Sequence, residues 1–174
     1  MDAFKIGDKV IYPTQGLSVI EDIQVQSYFG ETFRIYHLRI LSNNTLIMVP
    51  LANAQEIGIR KPMGQKTVKQ IIDLMRRADF DVQTNWKGRY KEHLNLMKSG
   101  SLKDLAAVLK SLYFLSLTKP LSFREKKMME KARELIVSEM ALACSLSAAA
   151  IESKLTQALT VCFKNHNHKP VSES

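Results

Sequence analysis

Hydrophobic positions change their period once along this chain. Up to about residue 60 they come in short, partly alternating runs bounded by turn residues, and from about residue 66 they recur every three or four positions. The first pattern predicts strands and the second amphipathic helices. Lys9–Pro13 reads as a first strand, followed by a turn at Gln15-Gly16. Leu17–Val25 is a second, and Ser27–Glu31, with Gly30, the next turn. Thr32–Leu41 is a third, with Phe33, Ile35 and His37 on one face and Arg34, Tyr36 and Leu38 on the other. Asn43-Asn44 is a hairpin signal. Thr45–Pro50 is a fourth strand, stopped by its proline, and Ile57–Arg60 a short fifth. Five short strands joined by tight turns predict a small SH3-like or Tudor-like barrel.

Val68, Ile71, Ile72 and Met75 begin the helical pattern, and Asp79-Phe80-Asp81 breaks it. A helix is expected over about Asn85–Lys98, with Tyr90, Leu94 and Met97 as its apolar stripe and Gly100 as its stop. Ser101, with Asp104 three residues on, caps the next helix, which Thr118-Lys119-Pro120 ends. Ser122-Phe123-Arg124-Glu125 is a capping box, so a helix should run from there to about Cys144. A last helix spans about Ala148–Phe163, and a polar tail follows. The expected fold is α+β: an N-terminal small SH3/Tudor-like β-barrel over residues 1–62, a C-terminal compact all-helical domain over 63–165, and a disordered tail over 166–174.

Composition narrows what these domains do. The 174 residues are 45% hydrophobic, a globular value. No apolar run approaches the ~20 residues of a membrane span. Met1–Lys5 lacks the basic start and apolar stretch of a signal peptide. The two cysteines, Cys144 and Cys162, sit in helical segments and read as buried free thiols of a cytoplasmic protein. The net charge is +8 and uneven. Residues 1–60 hold five basic and six acidic residues, whereas residues 61–100 hold nine and four. Such asymmetry suits a second domain that meets a polyanion and a first that does something else.

Catalytic chemistry is not visible. The chain has no Walker loop and no Gly-x-Gly-x-x-Gly, and neither cysteine has a metal-ligand partner at the usual spacing. His37 and His93 fall inside regular elements and read as structural. His166 and His168 fall in the tail, and Asp79 and Asp81 read as loop residues. No enzyme, cofactor, metal or small-molecule substrate is therefore expected. The lone tryptophan, Trp86, stands among Lys87, Arg89 and Lys91 at the start of a helix. Those residues leave two readings open: a core anchor with solvated neighbours, or an exposed ring that meets bases while the cations meet phosphate.

Taken in order, several segments resemble the CarD/CdnL family of bacterial transcription regulators. They are Phe4–Pro13 with Gly16, Ile47–Pro50 with Asn53, Gly58-Ile59-Arg60, Asn85-Trp86, Arg89-Tyr90-Lys91, Lys98-Ser99-Gly100, Leu121-Ser122, Glu125–Met128 and Lys131–Ala143. The resemblance covers about residues 1–145; its first part also resembles the polymerase-binding domain of the transcription-repair coupling factor. It implies that the first domain docks on the β subunit of RNA polymerase through a strand edge, expected at Gln26 and at Thr45, Ile47, Met48, Val49 and Pro50. Met48 is either an apolar contact or barrel core, and several relatives carry Arg there. The resemblance further implies that the helical domain binds promoter DNA at the upstream edge of the bubble without base-specific readout. Trp86 is its wedge, Arg89 and Lys91 contact the backbone, and Lys87 assists. Ser122, Lys126 and Lys127 meet phosphate at a helix N-terminus. Relatives commonly carry a basic residue at the position of Gly88. The competing reading is a protein-only adaptor built on the same barrel and helical bundle.

Overall fold

The computed structural model describes residues 4–77 and 86–167, and residues 86, 87 and 167 through their backbone alone. The chain forms two compact units. The first comprises residues 1–62 with Lys98–Gly100, and the second Met63–Met97 with Ser101–Ser174.

The first unit is a curled antiparallel meander of four strands in the order β1-β2-β3-β4. These are β1 (Lys9–Tyr12), β2 (Gly16–Tyr28), β3 (Glu31–Ile40) and β4 (Leu46–Pro50). Their inward-facing side chains, Val10, Ile20, Tyr36, Leu38 and Val49, form the core with Ala54 and Ile59. Register decides which face is which. Tyr36 pairs with Val49 and both are buried, so Phe33, Ile35 and His37 share the outer face. The bulge at Ile20/Asp22 bends β2, and past the Gln24–Ile35 pair, where β4 ends, β2 and β3 continue as a two-stranded arm. Phe29 and Gly30 close the arm with positive φ at both positions, 48° and 80°, as a type I′ turn demands. The arm extends β2 past the expected end at Val25 to Tyr28, whereas β3 keeps its expected length and is shifted by one residue.

The expected fifth strand is not one. Ala54–Ile57 is a single helical turn, α1, ended by Gly58 at φ 87°. Only Arg60 then reaches β1, through a two-way backbone bridge to Ile11. Ile57 and Ile59 alternate as a strand would, but the left-handed glycine between them turns the chain instead. Gly100, at φ 68°, is also fixed in this unit. A Cβ there would stand 3.1 Å from the Pro13 ring, and the Arg60 Nη2 donates to its carbonyl at 2.8 Å.

The second unit contains α2 (Gln65–Arg76), α3 (Trp86–Ser99, whose last two residues count with the first unit), α4 (Leu102–Thr118), α5 (Phe123–Cys144) and α6 (Ala148–Asn167). Leu105, Leu109, Leu112, Ile136, Met140, Ile151 and Leu155 form the middle of its core. Ser101 holds the N-cap position of α4 without a side-chain capping bond. The capping box of α5 is complete: Glu125 N–H donates to Ser122 Oγ at 3.2 Å and Ser122 N–H to Glu125 Oε2 at 3.0 Å. The α6 helix runs past Phe163 to Asn167, because the Phe163 and His166 rings both pack on Phe114 at 5.9 Å. Cys144 and Cys162 are free thiols. The break expected at Asp79–Asp81 lies outside the described residues.

The inner face of α3 differs from the predicted stripe. Arg89, His93 and Met97 are the buried positions, and Tyr90 and Leu94 flank them half-exposed. The i, i+4, i+8 spacing is helical, but two of the three buried residues are polar.

Candidate nucleic-acid interface and docking strand

In the sheet unit, β4 is an edge strand: among the described residues it pairs with β3 alone. Its side chains alternate. Val49 is 2% exposed and Ile47 packs half-buried on the core, whereas Met48 is 62% exposed. Met48 is thus an outward apolar side chain and not barrel core. Val49, expected as a docking residue, spends its side chain on the core; what it has left to offer is main chain. Thr45 and Pro50 are exposed and Gln26 is half-buried. Register places Gln26 opposite Phe33, Pro50 opposite Ile35 and Met48 opposite His37, all on the outer face. Leu46, within the expected strand, and Phe33, not expected there, are each over two-fifths exposed and belong to this neighbourhood. The signal for Phe33 was the strand alternation itself; what was lacking was which face turned inward.

In the helical unit, α3 and the start of α5 carry the expected cations. Lys91, Lys126 and Lys127 are exposed. Ser122 caps α5, and its hydroxyl oxygen and amide are both engaged in the capping box. The helix amides left for an anion are therefore those of Phe123 and Arg124, which helix geometry leaves without intrahelical partners. Phe123 is 71% exposed with Lys127 Nζ 4.5 Å from its ring centroid, an exposed aromatic-cation pair not singled out by the sequence. Lys119 and Arg124 line a cleft of about 320 Å³ with Arg89, Tyr90 and Ser122. The side chains of Trp86 and Lys87 lie outside the described residues.

Arg89 requires a correction. It was expected on the DNA backbone, yet it is 1% exposed, and its Nη2 donates to Glu125 Oε1 at 2.7 Å. A guanidinium in the interior needs a carboxylate, because an uncompensated buried charge is costly. Burial pushes the Glu125 carboxyl up, but the bonds from Arg89 and Ser122 outweigh it and hold it below the usual range. Burial, with the Arg89 cation beside it, holds the His93 imidazole below the usual histidine range, against the opposing pull of Glu92 and Glu125. Among the described residues, no three His, Cys, Asp or Glu side chains gather as a metal site would require. No single described helix is long and apolar enough to cross a membrane.

The chain thus has both a curled sheet with an open edge strand and a helical unit with exposed lysines at a helix N-terminus. Comparison with known proteins makes this specific. Residues 4–63 match the family model of the CarD-like/TRCF RID domain, and residues 70–156 that of the CarD C-terminal domain. The chain belongs to the CarD/CdnL family of transcription factors. A Bacillus subtilis (strain 168) protein provisionally named transcription factor YdeB is 29% identical over 150 residues, 86% of this chain and 98% of that protein. A solved structure of CdnLNt from Myxococcus xanthus is 36% identical, covering 35% of this chain and 86% of that chain, with a TM-score of 0.30.

Proposed function

We propose that this chain regulates transcription initiation by holding the β subunit of RNA polymerase with its sheet unit and promoter DNA with its helical unit. The observation that carries this reading is the order of the two family matches, a CarD-like/TRCF RID domain over residues 4–63 and a CarD C-terminal domain over 70–156. Docking uses the β4 edge. Its main chain adds to a strand of the partner, and Met48 supplies an apolar contact. The charge balance of residues 1–60, five basic against six acidic, supports a protein partner. DNA is met without base-specific readout, at the upstream edge of the bubble. Lys87, Lys91, Lys126, Lys127 and the capped start of α5 serve phosphate, and the Trp86 ring opposes reclosure of the parted strands. Tethering to polymerase raises the effective concentration of DNA, so a few phosphate contacts suffice. The reading requires no catalysis, cofactor or small-molecule substrate, and places the protein in the cytoplasm, on the nucleoid through polymerase.

A stacked aromatic contributes about 1–3 kcal/mol, and 1.4 kcal/mol is tenfold in an equilibrium. Trp86→Ala should therefore shorten open-complex lifetime by about tenfold while the β subunit is still captured in a pull-down. Equal lifetimes would remove the wedge, and a wild-type protein that fails to capture the β subunit would remove the docking role.

A further inference from the structure

We infer that Arg89 is a positioning residue of the DNA-facing surface: its buried ion pair with Glu125 locks α3 against the capped start of α5, so that the lysines of both helices act as one array. This inference rests on the DNA-binding reading above. A side chain 1% exposed cannot reach a phosphate, and the guanidinium is committed to Glu125 Oε1. Glu125 divides its two oxygens. Oε2 accepts from the Ser122 amide, as a capping-box glutamate does, while Oε1 holds a guanidinium from another helix. One carboxylate thus closes its own helix start and anchors α3 to it.

Well-packed apolar residues could join two helices as stably. A charged hydrogen bond between a planar guanidinium and a carboxylate adds a defined geometry. Geometry is what the exposed cations need. Lys91 follows Arg89 by two residues, Lys126 and Lys127 follow Glu125 directly, and α3 begins one turn before Arg89. The pair is therefore the fixed point from which each of these positions is measured.

The test uses the full chain and a fluorescein-labelled DNA duplex with a mismatched bubble, titrated at several salt concentrations. Circular dichroism at the assay temperature checks that each variant is folded. Glu125→Gln should weaken binding by about tenfold, mid-range for residues of one ion-pair network, with the salt slope unchanged. If Arg89 were itself a phosphate contact, removing the Glu125 charge would free it, and Glu125→Gln would tighten binding and steepen the slope; that result overturns the inference. Arg89→Lys is the second variant, for the case in which Glu125→Gln unfolds. It keeps the charge and loses the planar fork, so positioning demands weaker binding, and wild-type affinity would overturn it. Lys91→Gln serves as the contact control, lowering the slope by about 0.9. Wild-type protein without salt-dependent binding overturns the DNA reading itself, a result distinct from tighter binding by the Glu125 variant.

Discussion

Arg89 and His93 lie one turn apart on the inner face of α3, and the burial of His93 makes stability depend on pH. Both His93 and its neighbour Glu125 have pKa values below their ordinary ones in the folded chain. The unfolded chain binds protons more readily at each, so each contributes stability at neutral pH that is lost on acidification. For His93 the loss starts as pH falls past the ordinary histidine value, ~6.5, and ends once the depressed folded value is passed. For Glu125 it starts near the ordinary glutamate value, ~4.3, and runs lower. Thermal melting should therefore show the helical unit weakening in two stages. His93→Gln should flatten the upper stage and spare the lower. A variant with the wild-type slope in the upper window would show that His93 is not the group responsible.

Local rules made some elements legible and tertiary ones hid others. The start of α5 was readable because both halves of its cap, Ser122 and Glu125, lie within four residues. Residues 57–60 misled because Ile57 and Ile59 alternate, and nothing local reveals that Gly58 takes a left-handed turn. The end of β2, Gln26–Tyr28, escaped because it has little core to face; backbone pairing up to Tyr28–Glu31 sustains it, and apolar alternation carries no message there. Met97 was found on the inner face of α3 as expected, but the other two inner positions fell one residue earlier, at Arg89 and His93, because the pattern sought apolar residues while burial went to Arg89, whose partner lies on α5. Of β4, the strand proposed for docking, the position in the chain was legible and the orientation was not: only pairing with β3 shows Met48 out and Val49 in. That orientation makes a paired prediction. Met48→Glu should leave the melting temperature nearly unchanged, since exposed substitutions usually cost within ±0.5 kcal/mol, yet lose β-subunit capture. Val49→Asp should instead unfold the sheet unit, since it buries an unpaired charge. Normal capture by Met48→Glu would move the docking surface off the outer face.

At the scale of the molecule, the proposed DNA binding and the proposed docking fall in different units, and salt should separate their contributions. Residues 1–60 have no basic excess, while the proposed DNA surface keeps four lysines, Lys87, Lys91, Lys126 and Lys127, once Arg89 is assigned to the interior. Each phosphate contact contributes about 0.9 to the slope of log affinity against log salt, so direct DNA binding should show a slope of about −3.6. Raising salt from ~50 to ~200 mM would then weaken binding to free DNA by about 150-fold. The effect on open complexes should fall far less, because a tether supplies DNA at effective concentrations in the ~mM range. Docking through a strand edge and an apolar side chain releases few counterions. Met48→Glu, with its tether broken, should show the full salt sensitivity in the open-complex assay as well. The measurement is open-complex lifetime across the same salt series for wild type and Met48→Glu. Parallel curves would mean that polymerase docking and DNA binding are not joined through this chain.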